Sequence, residues 1–111
     1  MSNAPATRMI DTYRWGLVSS EEAAELRAAD EAKAKAKVAR TGEPVTIRIN
    51  VGIYNVFTTS GHFVIEKELD HFTEEETGWW VVLEYIDGWP CEIGITFQTL
   101  RDAKAHIATF F

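Results

Sequence analysis

The stretch GWWVVLEYIDGWPCEIGITF, residues 78–97, constrains the fold more than any other part of this chain. It holds two runs rich in β-branched and aromatic residues, separated by Asp87-Gly88. Asp-Gly supplies two positions that tolerate positive φ, as a tight antiparallel hairpin turn requires. Two adjacent antiparallel strands are therefore predicted. The first run is apolar on both faces. Trp79, Val81, Leu83 and Tyr85 project one way; Trp80, Val82 and Ile86 project the other, interrupted only by Glu84. The second run alternates cleanly, with Trp89, Cys91, Ile93, Ile95 and Phe97 on one face. Two registers stay open. A two-residue turn sets Ile86 opposite Trp89 and groups Trp80, Val82 and Ile86 with Ile93 and Ile95. A three-residue loop groups Trp79, Val81, Leu83 and Tyr85 with them instead.

Upstream, VTIRINVGIYNVF reads as one amphipathic strand that continues through a bulge or bend at Gly52. TTSGH is a turn signal, and HFVIEKEL is the returning strand. Four strands joined by short connections favour an antiparallel meander.

A helix is predicted on each side. Ser19 and Glu22 have capping-box spacing, and Gly42 followed by Pro44 marks the end of the first helix. Ala24, Ala28, Ala29, Ala32, Ala36 and Ala39 share one face of it. That face is expected to pack closely, covering the second face of residues 79–86. Glu31 and Lys35 are spaced for an i, i+4 pair. Thr99 and Asp102 open the last helix, whose apolar stripe is Leu100, Ala103, Ile107 and Phe110. Phe110 and Phe111 are expected to dock on the sheet. The predicted class is α+β: a four-stranded antiparallel meander sheet flanked by an N-terminal and a C-terminal helix, forming one domain over residues 19–111. Residues 1–18 form a lead-in. MSNAPATR reads as disordered, whereas MIDTYRWGLV is expected to pack on the domain or to serve as a docking peptide.

A chain of 111 residues can bury a core without disulfides. The single cysteine, Cys91, reads as a small buried hydrophobe, and this sparing usage fits a reducing, cytoplasmic setting. Neither a secretory signal nor a membrane span is expected.

Charge is unevenly spread. Residues 1–42 carry seven basic and six acidic side chains; residues 43–111 carry four basic and eleven acidic. Glu66, Glu68 and Asp70 alternate along the returning strand, and Glu74, Glu75 and Glu76 follow. So many carboxylates in so short a span point to a basic protein partner, a class that includes nucleic-acid-binding host proteins. Trp79, Trp80 and Tyr85 make a second candidate partner surface. The alternative is a nucleic-acid-binding accessory domain, with Arg27, Lys33, Lys37 and Arg40 on phosphates. Direct nucleic-acid binding is less favoured by the acidic balance. Self-association stays open.

Catalytic signatures are lacking. There is no P-loop, dinucleotide fingerprint, EF-hand or nucleophile elbow in the sequence. His62, His71 and His106 are scattered, so neither a metal nor a cofactor is expected. Glu66 and Glu84 are the carboxylates that an enzymatic reading would use as acid and base. The reading preferred is a small non-enzymatic interaction protein.

The tail GWWVVLEYIDGWPCEIGITFQTLRDAKAHI resembles the arm-type, AP2-like DNA-binding domain of phage integrases. It is also similar to the amino-terminal half of HicB-type antitoxins, with TLRDAKAHI in the place of their TLEEA helix. Small accessory proteins of actinobacterial phages share this cadence. The resemblance covers residues 78–107. It implies a phage or mobile-element origin; the integrase likeness implies DNA as partner, and the antitoxin likeness a protein.

Overall fold

A computed structural model describes residues 8–110. Residues 1–7, expected to be disordered, lie outside the described residues, as do Phe111 and the side chain of Phe110 with the docking expected of them. The chain opens with a small hairpin, β1 (Met9–Thr12) and β2 (Gly16–Ser19), and continues into α1 (Ser20–Thr41). Five strands follow: β3 (Val45–Asn50), β4 (Ile53–Phe57), β5 (His62–Leu69), β6 (Glu76–Ile86) and β7 (Trp89–Phe97). Helix α2 (Leu100–Phe110) ends the described chain. The large sheet has the order β3-β4-β5-β6-β7, and every neighbouring pair is antiparallel. The α+β class and the meander are as expected, but the sheet has five strands rather than four.

The extra strand comes from Gly52. The bulge or bend expected there is a full reversal: Asn50 pairs with Ile53, the Asn50 side chain accepts the Val51 N–H at 2.7 Å, and Gly52 has φ 75°. A Cβ on Gly52 would also stand 3.2 Å from the Lys67 side chain. Only glycine meets both demands at low cost. The other turns follow the sequence. Thr58 and Gly61 close the TTSGH turn, and Asp87-Gly88 makes a two-residue turn with both φ positive.

The turn at residues 87–88 sets Ile86 opposite Trp89. That register holds only as far as Leu83 and Glu92; β7 then bulges around Gly94 and resumes at Val81 and Thr96. The bulge returns Phe97 to a place opposite Trp80, so Trp80, Ile93 and Phe97 pack together on one core. That core is built from Val56, Phe63, Ile65 and Val82 of the sheet with Ala103 and Ile107 of α2. The cap expected at Thr99 is present, with its hydroxyl accepting the Asp102 N–H. Cys91 is exposed, contrary to expectation. It lies on the turn side of Ile93, past the reach of the α2 cluster.

Helix α1 begins and ends where the sequence places it. Ser19 accepts the Glu22 N–H at 3.0 Å, and Gly42 closes the helix in the left-handed conformation. Lys35 and Glu31 are 2.8 Å apart. The buried stripe, however, is not the alanine face. Ala23, Ala34 and Val38 are buried and Leu26 is half-buried; Ala24, Ala28, Ala29, Ala32, Ala36 and Ala39 are all exposed. Leu26 and Val38 are the only large apolar side chains of the helix, and burying them gains more than burying methyl groups. The alanines serve helix propensity instead. A second correction follows. Ala34 and Val38 pack on Phe57, Val45 and Ile47, so α1 lies on β3 and β4; the second face of β6, with Trp80 and Val82, is covered by α2 instead, and the face that carries Trp79 and Tyr85 stays open. Ala34→Leu is expected to destabilise the domain by about 1–3 kcal/mol through overpacking. Ala32→Leu should stay within about 0.5 kcal/mol. Urea unfolding midpoints of the two variants check this.

The lead-in packs rather than floats: Val18 is buried and Ile10 and Trp15 are half-buried, while Met9, Tyr13 and Leu17 stay exposed. Among the described residues, no helix is long and apolar enough to cross a membrane.

Candidate functional site

The residues singled out in the sequence separate into two regions. The first is the β5–β6 hairpin end. Strand β5 stops at Leu69, so Asp70 sits in the loop and not in the row with Glu66 and Glu68. Its carboxylate accepts the N–H groups of Phe72 at 2.8 Å and Thr73 at 3.0 Å. Hydrogen bonds from the Thr73 and Phe72 backbones hold its carboxyl below the usual range. Asp70 N–H donates to the Glu75 carbonyl, and Glu74 N–H donates to the Asp70 carbonyl. Glu74 adopts φ 59°, which a non-glycine residue takes at some cost. Nearby, Lys67 pairs with Glu76 at 3.0 Å, and Thr77 donates to the Glu68 carboxylate at 3.2 Å. The loop is therefore a built object. What it presents is Phe72, 95% exposed, with Leu69 also exposed beside Glu74 and Glu75.

Behind this tip a groove of about 480 Å³ runs toward β7. Glu66, Glu68 and Glu92 give it negative charge, and Leu69, Val81 and Ile95 give it apolar surface. Trp79 is 40% exposed, on the same sheet face as Val81. Trp80 is not surface: it packs against the α2 core beneath Lys67 and beside Tyr54. Tyr85 lies at the other end of β6. The expected aromatic trio is thus divided. Glu66 and Glu84 are divided too. Glu84 pairs with Phe63 and Glu66 with Val81, which puts the carboxylates on opposite faces, so they cannot act as one acid–base pair.

The second region is a cleft of about 510 Å³ between the sheet and a canopy made by the β1–β2 hairpin and α1. Its far end holds a stack that sequence reading passed over. His62 lies between Phe57 and Tyr85, with ring centroids 4.4 and 4.6 Å away, and its Nε2 is 3.1 Å from Asn55 Oδ1. The three rings come from β4, β5 and β6, paired side by side on one face, which only the strand register reveals. Burial pushes the His62 pKa down, and Glu31 partly opposes this. The neutral ring is therefore the form that folding favours. Its contribution to stability is full above the unfolded value of about 6.5 and is lost as pH falls through the lower folded value. His62→Phe should remove that loss, so the two thermal midpoints should diverge as pH is lowered from about 7.5 to 5.

Of the basic residues proposed for nucleic acid, Arg27 lines this cleft, while Lys33, Lys37 and Arg40 are exposed and do not. Asp30 and Glu31 stand between Arg27 and the other three in sequence. Among the described residues, no group of three or more His, Cys, Asp or Glu side chains is placed to hold a metal ion. Compared with protein-family models, curated proteins and solved structures, the chain matches none.

Proposed function

We propose that this is a small interaction protein, of the phage or mobile-element type that its tail resembles, and that it engages a basic protein partner through the β5–β6 hairpin end. The observation that carries this reading is Phe72. A loop fixed by several hydrogen bonds and one left-handed glutamate holds a large aromatic side chain almost wholly in water. Burying such a side chain is worth about 1.5–3 kcal/mol, so its exposure in an ordered loop suits an anchor that is buried on binding. The surrounding carboxylates and the acidic groove supply the polar rim of an interface and select a basic partner. The six acidic residues do not share one task in this reading. Asp70 shapes the loop, Glu76 and Glu68 are engaged within the hairpin, Glu66 is half-buried in the groove behind it, and Glu74 and Glu75 face outward for the partner.

Capture from a lysate of the source organism, with and without nuclease, tests the reading. Partners should be retained by the full chain after nuclease treatment and shed by added salt, since exposed charges are screened. Partners lost to nuclease would instead favour direct nucleic-acid binding through Arg27, Lys33, Lys37 and Arg40.

A further inference from the structure

The cleft under the amino-terminal hairpin shares only Glu66 with the groove behind the hairpin end and does not depend on the partner reading. We infer that it binds an organic cation: an ammonium or guanidinium group carried on a short apolar stem. Its volume, about 510 Å³, is within the range of small-molecule sites. The floor is apolar, formed by Ile47, Ile49, Ile53 and Val64, which suits a stem rather than a bare ion. Tyr13 and Trp15 line the hairpin side of the cleft. Tyr13 already seats a guanidinium, with Arg48 Cζ 5.0 Å from its ring centroid. A ring face of that kind attracts cations through its quadrupole.

Charge decides the sign. Six charged side chains line the cleft: Asp11, Asp30, Glu31 and Glu66 against Arg14 and Arg27. Arg14 is held by Asp30 at 2.6 Å, and Glu31 by Lys35 from outside the cleft. Among the described residues, neither Asp11 nor Glu66 forms an ion pair, so two lining carboxylates stand against the guanidinium of Arg27, while Arg48, outside the lining, sits on the Tyr13 ring. An anionic ligand would meet that excess of negative charge, whereas a cation is drawn to it. The Arg14–Asp30 bridge also ties the hairpin tip to α1, which keeps the canopy standing over the floor.

The test uses the full chain labelled for NMR and three probes: butylguanidinium, the blocked tripeptide acetyl-Gly-Arg-Gly-amide, and the same tripeptide with citrulline, which is neutral and nearly isosteric. Saturable shifts are expected with the two cations at the Trp15 indole, the Arg14 side chain and Asn55. The citrulline peptide should give none. Asp11→Asn removes a charge from exposed surface that belongs to the cleft alone, and should weaken both cations about fivefold without altering the rest of the spectrum. Tighter binding of the peptide would identify the cation as one delivered on a chain, and tighter binding of butylguanidinium as a free amine-type ligand. Either supports the inference. No saturable shift below about 10 mM, or equal shifts with citrulline, would overturn it. Neither result would bear on Phe72, which lies outside the cleft.

Discussion

Phe63→Ala is expected to destabilise the domain by about 3–5 kcal/mol, the largest effect of any single substitution on this fold. Phe63 has no exposed surface and sits in β5, the middle strand of five. It is part of the cluster that joins Val56, Ile65 and Val82 to Ala103 and Ile107 of α2. Truncation removes the apolar area and leaves a cavity whose walls are strands on both sides, which collapse poorly. Domains of this size hold about 5–15 kcal/mol in total, so much of the stability should go. Phe63→Leu keeps most of the volume and should cost clearly less. Urea unfolding of both variants measures the difference. A loss below about 1 kcal/mol for Phe63→Ala would mean that β5 and α2 do not share this core.

Phe72→Ala should behave in the opposite way. Its side chain is almost wholly exposed, so stability should move by less than about 0.5 kcal/mol. Partner affinity should fall by about 30-fold or more, the loss typical of an aromatic anchor. Reversing Glu74 and Glu75 to lysine should act on a different quantity, slowing association and flattening its salt dependence while dissociation changes less. Surface plasmon resonance against a captured partner separates the two. An unchanged affinity for Phe72→Ala would place the binding surface elsewhere, with the open face of β6 next in line.

What the sequence made legible was local chemistry. The cap at Ser19, the stop at Gly42, the Glu31–Lys35 pair and the Asp87-Gly88 turn each depend on residues close together in the chain, and each is present. Features that depend on register or on competition between faces were hidden. The alanine stripe of α1 was a sound pattern, but Leu26 and Val38 lie off it and decided which side is buried. Gly52 could serve a bulge or a reversal, and its place beside Lys67, whose N–H donates to its carbonyl, joins residues far apart in the chain. The Phe57–His62–Tyr85 stack joins residues on three strands, so no spacing announced it. At the candidate site, the carboxylates were visible as a group, but their division of labour was not. Asp70 faces backbone amides, and Phe72, which sequence reading left unremarked among the acids, is what the loop displays.

The central claim is that the β5–β6 hairpin end is the partner-binding surface, and side-chain oxidation footprinting of the full chain, free and partner-bound, tests it most directly. In the free protein Phe72 and Trp89 should both label heavily, since both are strongly exposed and lie at different hairpin ends. With partner bound, labelling of Phe72 and Leu69 should fall sharply, Trp79 should follow, and Trp89 should be unchanged. Full labelling of Phe72 in the complex, with protection confined to α1 or to the Trp89 end, would contradict the account.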